Sequence, residues 1–352
     1  MTVRLRPVLA TLPAYLPGRS VPGAIKLASN ETPYPPLPHV LDRIAAAAGT
    51  ANRYPDNGSA ALTAALAARW GVDEARIAVG CGSVSLCTQL VQAAAEADEE
   101  VMYAWRSFEA YPIITAVSGA SSLQVPLRAF VHDLEAMAER ITGKTRVIFV
   151  CNPNNPTGTA VGRAALLDFL HRVPQDVLVA LDEAYREFVT DPDVPDGLTL
   201  LDAHPNLVVL RTFSKAYGLA GLRVGYAIAA DPAITAALRQ TQVPFAVSTV
   251  AQAAAVASLE PEAESQLMQR VAEVIRERER VRAELLSIGY EVPPTQANFL
   301  WLPLGESSLD WAAACEERGV IVRAFGGHGL RVTVSSADEN DRFLDAARAL
   351  RA

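Results

Sequence analysis

The feature that most constrains the fold is a regular alternation, from about residue 58 onward, of alanine-rich amphipathic segments with short apolar runs rich in Val and Ile. Examples in chain order are "ALTAALAARWG", "RIAVGCG", "SLCTQLVQAAAE" and "EVMYAW". The amphipathic segments predict helices, and the continuous apolar runs predict strands that are buried on both faces. The alternation therefore predicts an α/β fold, a large domain with a mostly parallel sheet flanked by helices.

Further strand candidates end in polar or glycine-rich residues. They are "RVIFVCN", "VLVALDEAY", "LVVLRTF" and "RVGYAIAA". Because ligands of open α/β sheets bind at the carboxyl ends of the strands, we expect these endings to converge on one crevice.

The pattern changes after about residue 245. A long helix rich in Arg and Glu, "ESQLMQRVAEVIRERERVRAELLSIG", leads to three short strand candidates, "NFLWL", "VIVRAF" and "LRVTV". A chain of 352 residues also exceeds the roughly 250 to 300 residues at which single cores stop growing. We predict an N-terminal segment, 1–40, that packs on both domains, a large domain, 41–245, and a smaller α+β C-terminal domain, 246–352.

Composition restricts the class of partner. A net charge of −8 argues against a nucleic-acid or anionic-membrane surface, so small metabolites are the expected partners. No segment is apolar for long enough to act as a signal peptide or to span a bilayer, and a cytoplasmic location is expected. The four cysteines and five histidines are scattered, which predicts neither a disulfide framework nor a metal site.

Lysine is rare in this chain. Of its 31 basic residues only Lys26, Lys144 and Lys215 are lysines. Lys215 lies in "RTFSKAYGLAGLRVGY", directly after a strand candidate. A neutral lysine amine forms Schiff bases with carbonyl compounds, which arginine cannot do. Lys215 is therefore a candidate nucleophile, although a solvated surface charge is the simpler interpretation.

Three strand ends carry polar groups that fit one ligand. "CNPNNPTG" supplies asparagine amides, "ALDEAY" supplies Asp182, and "RTFSKAYGLAGLR" supplies hydroxyl groups, an amine and Arg223. Taken singly, an Asn-Pro turn is usually only a turn, and an Asp at a strand end is often a helix cap. Taken together, they match a phosphorylated aldehyde cofactor, whose phosphate needs hydroxyls and arginine and whose ring nitrogen needs an acid.

The order N-P-T-G, D-x-x-Y, S-K and an arginine eight residues later resembles the fold-type I pyridoxal-phosphate aminotransferases over nearly the whole chain. "RYPD", "NPNNPTG", "DEAY" and "RTFSKAYGLAGLRVGY" are similar to the histidinol-phosphate aminotransferase family. "KLASNET", "NRYPDNG", "GCGSVSL" and "WRSFEAYP" are more similar to its actinobacterial branch of phenylalanine or aromatic amino acid aminotransferases.

The resemblance implies pyridoxal 5'-phosphate as the cofactor and assigns its ring contacts. Lys215 would hold the cofactor covalently and then carry the proton of the substrate α-carbon. Asp182 would pair with the ring nitrogen, and Asn155 and Tyr185 would contact the ring hydroxyl. Phe108 would stack on the ring, although as a residue type it could equally be a core phenylalanine.

The resemblance also assigns the phosphate contacts. "GCGSVS" is predicted to place the amides of Ser83 and Val84 at a helix N-terminus, which is an anion-binding position. Thr212, Ser214 and Arg223 would complete the phosphate site.

Further positions match the substrate pocket and a dimer contact. Arg331 would bind the substrate carboxylate, and Arg323 would be a second arginine on the substrate side. Tyr15, Asn30 and Asn298 match pocket positions as well. Tyr54 matches a tyrosine that reaches the partner's site, which implies a homodimer.

The implied reaction is ping-pong transamination between an aromatic amino acid, phenylalanine or tyrosine, and 2-oxoglutarate. Histidinol phosphate is the competing substrate, but "SNETPYPP" and "GCGSVS" depart from the N-E-N-P-x-G and G-x-D-E patterns of that activity. The same fold could also serve a non-catalytic regulator or scaffold, although such proteins tend to lose the lysine. A decarboxylase of a phosphorylated amino acid would keep the cofactor and would release carbon dioxide.

Overall fold

The structure, a computed structural model, describes residues 3–10, 12 and 21–351. The strands in this part of the chain are β1 (Ile25–Leu27), β2 (Ile77–Gly80), β3 (Glu100–Trp105), β4 (Ser121–Pro126), β5 (Thr145–Cys151), β6 (Leu178–Asp182), β7 (Leu207–Thr212), β8 (Gly225–Ala229), β9 (Phe299–Gly305), β10 (Val320–Phe325) and β11 (His328–Thr333). The α-helices are α1 (Pro38–Ala48), α2 (Ala60–Trp70), α3 (Gly82–Ala94), α4 (Ala110–Ser118), α5 (Leu134–Glu139), α6 (Arg163–Arg172), α7 (Pro232–Thr241), α8 (Thr249–Ser258), α9 (Pro261–Ser287), α10 (Ser308–Glu317) and α11 (Ala337–Arg351).

Seven strands form one large sheet in the order β2-β8-β7-β6-β5-β3-β4. Neighbouring strands are parallel from β7 to β4, and β8 runs antiparallel to both β7 and β2. The predicted α/β fold with a mostly parallel sheet is confirmed. β4 was not predicted, because its edge position leaves four of its six residues exposed and its sequence "SSLQVP" has no apolar run.

The central strands are buried on both faces. Val147 to Val150 of β5 and Leu207 and Val208 of β7 are almost inaccessible. One apolar cluster joins one face of the sheet to α3, α4 and α7, and a larger cluster joins the opposite face to α2, α6 and α8. The two clusters explain why these strands are continuous apolar runs rather than alternating ones.

Four strands form a smaller sheet in the order β1-β10-β11-β9. The three predicted C-terminal strands are present, and β11 lies between β10 and β9 and is antiparallel to both. β1 comes from the N-terminal region and pairs in parallel with β10. Three residues are too few to show a strand periodicity, so the sequence did not predict β1.

α8, which follows residue 245, packs against α1 and α2. The division at residues 40 and 245 stays a prediction.

The long charged helix is also present, as α9. Its buried residues follow one helical stripe that includes Leu267, Val271, Val274, Val281 and Leu285. The larger apolar cluster contains this stripe and the small sheet. None of the helices in residues 3–10, 12 and 21–351 combines the length and the apolar character that a membrane span requires.

Candidate active site

A cavity of about 200 Å³ lies at the carboxyl ends of β5, β6 and β7, where the small sheet faces the large one. Its lining includes Cys151, Asp182 and Thr212, the last residues of those three strands, and two arginines from β10 and β11. The predicted residues in its wall are Asn30, Ser83, Val84, Phe108, Asn155, Asp182, Tyr185, Thr212, Ser214, Lys215, Arg223, Arg323 and Arg331. The expected convergence of polar strand ends is therefore present.

Lys215 lies three residues beyond the end of β7. Its Nζ donates a hydrogen bond to the Ser29 carbonyl oxygen at 3.1 Å. Burial, and then the positive charge of Arg331, lower the pKa of the Lys215 amine from its ordinary value of 10.5 to about 7. Near neutral pH a substantial fraction of this amine is therefore unprotonated, which is the form that attacks a carbonyl carbon.

Asp182 ends β6 and is 3% exposed. Its Oδ2 accepts a hydrogen bond from the Tyr111 hydroxyl at 2.8 Å, and its Oδ1 accepts one from the Ala184 amide at 3.2 Å. Burial raises the pKa of Asp182, and these two hydrogen bonds oppose the rise. A cation placed against this carboxylate would be strongly favoured, because it would restore the stabilisation that burial removes.

Tyr185 and Asn155 belong to a hydrogen-bonded network with the small sheet. The Asn30 side-chain amide donates to the Tyr185 hydroxyl at 2.8 Å. Arg331 donates through Nη1 to the Asn155 side-chain oxygen and through Nη2 to the Ala28 carbonyl oxygen at 2.6 Å. The network fixes the guanidinium of Arg331 in the cavity wall.

Phe108 lies in the cavity wall and packs its edge on Tyr111, with ring centroids 5.5 Å apart. Tyr111 in turn stacks on Phe149 of β5 at 4.5 Å. Phe108 is therefore held by the sheet through Tyr111 while it faces the cavity.

Ser83, Val84, Ser214 and Arg223 form a corner of the cavity where α3 begins, which we call the anion cradle. Ser83 and Val84 are in the first turn of α3, and the amides of a first turn have no partners within their own helix. Arg223 donates to the Ser214 hydroxyl at 3.3 Å and to the Ala220 carbonyl oxygen at 3.0 Å. Arg223 itself has a left-handed backbone, with φ of 58°. The guanidinium, the hydroxyl and the helix start thus share one corner of the cavity.

Gly82 is the reason that the cradle is open. Its φ is +72°, and a Cβ at this position would lie 2.6 Å from Arg223 Nη2. A Cβ on Gly225 would lie 2.6 Å from the Ser83 backbone nitrogen. Both glycines therefore permit a close approach that a larger residue would prevent.

Arg323 extends from β10 into the cavity wall, where its Nη2 donates to Glu109 Oε2 at 2.9 Å. Three predicted site residues lie elsewhere or are not described. Asn298 is buried behind the wall and donates to the Asn30 carbonyl oxygen at 3.1 Å. Tyr54 is 81% exposed and stacks on Phe245, and Tyr15 lies outside the described residues.

Sequence reasoning missed several residues of the site. Ser29 and Glu109 line the cavity, and Tyr111 binds Asp182 although it lies 71 residues away in sequence. Glu109 and Tyr111 are in "RSFEAYP", next to Phe108, so their proximity to that residue was the available signal. Their partners come from distant segments and were not visible in the motif.

Comparison with known proteins agrees with this geometry. The family model described as "Aminotransferase class I and II" matches residues 22–346. The aromatic amino acid aminotransferase of Streptomyces avermitilis is 58% identical over 353 residues, which cover 99% of this chain and 98% of that protein. The protein of the same description in Thermobifida fusca is 58% identical over 348 residues, with coverage of 98% and 96%.

Among solved structures, the histidinol-phosphate aminotransferase of Sinorhizobium meliloti, in complex with pyridoxal-5'-phosphate, is similar with a TM-score of 0.89. It is 28% identical in sequence and covers 100% of this chain and 98% of its own. The resemblance that the motifs indicated is thereby confirmed. Because the family model and both curated relatives span nearly the whole chain, this protein belongs to the class I and II aminotransferases.

Proposed function

We propose that this protein uses pyridoxal 5'-phosphate to transfer the amino group between an aromatic amino acid, phenylalanine or tyrosine, and 2-oxoglutarate. The observation that carries the proposal is the buried Lys215 amine, whose pKa is lowered to about 7 in a cavity that also contains Asp182 and Arg331. Aromatic specificity is supported by curated relatives that are 58% identical and described as aromatic amino acid aminotransferases.

The residues of the cavity fit the cofactor. The cradle at Gly82, which a Cβ would fill, suits a phosphate bound by Ser83, Val84 and Arg223. Asp182 is a buried carboxylate that forms no ion pair with any described lysine or arginine, so it suits a protonated ring nitrogen. When bound, the cofactor supplies an electron sink for negative charge at the substrate α-carbon.

The chain's own groups supply binding and proton transfer. Arg331 would hold the substrate carboxylate, because its guanidinium presents two parallel donors to a planar anion. The Lys215 Nζ would remove the α-proton and return it, and a pKa near the working pH suits both steps. Tyr185, held by Asn30, would orient the reacting groups.

The role of Lys215 is testable without substrate. Borohydride reduction of the loaded protein should fix the cofactor covalently, and mass spectrometry of peptides should find the adduct at Lys215. Lys215→Ala should bind the cofactor only reversibly and lose activity, whereas Lys144→Ala, a change at an exposed position, should behave as wild type. A fully active Lys215→Ala protein would overturn the assignment of Lys215. A loaded wild-type protein that shows no turnover would instead favour a non-enzymatic role for the fold.

The amino donor is tested by comparing kcat/KM for phenylalanine, tyrosine and histidinol phosphate, with 2-oxoglutarate as acceptor. We expect phenylalanine and tyrosine to exceed histidinol phosphate. If histidinol phosphate is preferred by more than about tenfold, which is about 1.4 kcal/mol of transition-state stabilisation, the aromatic assignment is wrong. Release of carbon dioxide in place of an oxo acid would instead indicate decarboxylation.

We also propose that the active unit is a homodimer in which Tyr54 reaches the partner's site. In support, Tyr54, Val243 and Phe245 form an exposed apolar patch, with exposed fractions of 81%, 71% and 43%. Tyr54 and Phe245 stack with centroids 4.5 Å apart. Such a patch is typical of a protein interface.

Mixing two inactive variants tests this arrangement. Suppose that Tyr54 acts on the partner's site. In a hybrid dimer of one Lys215→Ala subunit and one Tyr54→Ala subunit, one active site then carries both changes and the other active site carries neither. The mixture should therefore regain activity that neither variant shows alone. If Tyr54 serves its own subunit, every site carries one change and no activity returns.

A further inference from the structure

Glu109 and Arg323 form an ion pair inside the cavity. Arg323 is on β10 of the small sheet, and Glu109 directly precedes α4 of the large part of the chain. Arg323 Nη2 donates to Glu109 Oε2 at 2.9 Å, and both residues line the cavity. The Arg323 side chain is 19% exposed and the Glu109 side chain is 29% exposed, so water screens the pair only in part.

The second oxygen of Glu109 faces another cation. Arg106 Nη1 lies 3.9 Å from Glu109 Oε1. The guanidinium groups of Arg106 and Arg323 lie 5.4 and 5.7 Å from the centroid of the Phe325 ring. One carboxylate thus lies between two guanidinium groups, and its shorter contact is with the one that lines the cavity.

Arg323 and Arg331 are neighbours across the β10–β11 ladder, where they form a register pair. Arg331 is oriented by the Asn155 side chain and the Ala28 carbonyl, whereas Arg323 is held by the Glu109 carboxylate. The Asn155 and Ala28 oxygens that accept from Arg331 are neutral, whereas the oxygen that accepts from Arg323 belongs to a carboxylate. An anion at Arg323 meets a guanidinium whose Nη2 already donates to the Glu109 carboxylate, and it is repelled by that negative charge.

We propose that Glu109 is a specificity-determining residue, which masks the charge of Arg323 so that this part of the cavity favours an uncharged substrate side chain over an anionic one. The proposal rests on the proposed function, since it assumes that the substrate carboxylate binds Arg331. A phenyl ring enters without breaking the pair. A second carboxylate, as in 2-oxoglutarate, competes with Glu109 for Arg323 and is repelled by the Glu109 charge, which weakens its binding.

Two unreactive acids measure the effect as binding rather than as turnover. 3-Phenylpropanoate carries one carboxylate and a phenyl ring, and glutarate carries two carboxylates. Their dissociation constants are measured by calorimetry on the cofactor-loaded protein. In Glu109→Gln, glutarate should bind about two- to fivefold more tightly, the upper part of the range for a partly exposed charge pair, and 3-phenylpropanoate should change by less than about twofold.

A double-mutant cycle assigns the effect to Arg323. The gain for glutarate on Glu109→Gln should disappear in the Arg323→Gln background, because no masked charge is left to release. Glu99→Gln is a matched control, since Glu99 pairs with Arg146 at 2.7 Å with side chains 24% and 29% exposed, at the opposite end of β3. This control should leave both dissociation constants unchanged.

Two results would overturn the masking role: an equal change for both acids in Glu109→Gln, or a gain for glutarate that persists without Arg323. The outcome is separable from that of the proposed function. If the wild-type protein fails to react with phenylalanine, the aromatic assignment fails, while the glutarate measurement still reports whether Glu109 masks Arg323.

Discussion

Gly82→Ala should weaken cofactor binding and should also destabilise the fold by a smaller or similar free energy. The added Cβ would lie 2.6 Å from Arg223 Nη2, so the guanidinium has to move out of the cradle. Because that atom is the far end of a flexible side chain, the steric conflict itself is relieved at small cost. The remaining cost to the free energy of unfolding is the backbone strain of alanine at φ of +72°, about 1 to 2 kcal/mol.

The loss in affinity comes from the displaced arginine. A hydrogen bond to a charged group contributes about 1.5 to 3 kcal/mol, and every 1.4 kcal/mol is tenfold in a dissociation constant. Moving Arg223 away from the phosphate should therefore raise the dissociation constant of pyridoxal 5'-phosphate by about 10- to 150-fold. Dialysis equilibrium, followed through the cofactor's absorbance, measures this constant, and thermal unfolding of the cofactor-free protein measures the strain.

Gly221→Ala is the matched control, in the segment that carries Arg223. Its Cβ would have nothing within 4 Å, and its φ is outside the positive region, so neither stability nor affinity should fall. The reasoning is refuted if Gly82→Ala shows the expected destabilisation but binds the cofactor as tightly as wild type. That result would mean that Arg223 does not contact the phosphate.

Asp182→Asn should lower the rate of the phenylalanine half-reaction by more than about tenfold. Tyr111→Phe removes one hydrogen bond to that carboxylate, 2.8 Å long, and should lower the rate less. Stopped-flow absorbance measures both rates, and the opposite order would contradict the role assigned to Asp182. Arg211→Met should destabilise the protein by about 3 to 5 kcal/mol in denaturant unfolding, because it leaves the buried carboxylate of Glu183, now 2.7 Å from Arg211, without its cation; a loss below about 1 kcal/mol would contradict this reasoning. In the cofactor-free protein, the Lys215 pKa of about 7 lies below that of the unfolded chain, which therefore binds more protons between about pH 7 and 10. Wild-type stability should rise with pH across that window relative to Lys215→Met, and parallel profiles would show that the amine is not perturbed.

The sequence predicted those elements whose pattern is local. β5, β6 and β7 are apolar runs because both of their faces are covered, and α9 shows a helical stripe over 27 residues. β1 and β4 lack such patterns. β1 has only three residues, and it becomes a strand because β10 offers it an edge. β4 forms a strand at the edge of the sheet, where it pairs in parallel with β3.

The same distinction applies to the site. Asp182, Thr212 and Lys215 were predicted because they follow strands, and parallel strands bring their carboxyl ends together. Glu109 was not predicted, because its functional contact is with Arg323, 214 residues away. Tyr111 was likewise invisible, since a tyrosine in a helix gives no sign of a buried carboxylate beneath it. Contacts between segments are set by packing, which a motif does not contain.

The presence of lysine rather than arginine at position 215 now has a physical explanation. Lys215 shares the cavity with Arg223, Arg323 and Arg331. Burial and the charges of Arg331 and Arg223 lower its pKa, so the arginines that bind anions also keep the amine available as a base. A lysine in place of Arg331 would be subject to the same burial and repulsion and would itself tend to lose its proton. Permanent charge at Arg331 therefore adds to the effect of burial on the pKa of the Lys215 amine. Arginine at position 215 would remove the titratable amine, and lysine at position 331 would put the permanent charge at risk.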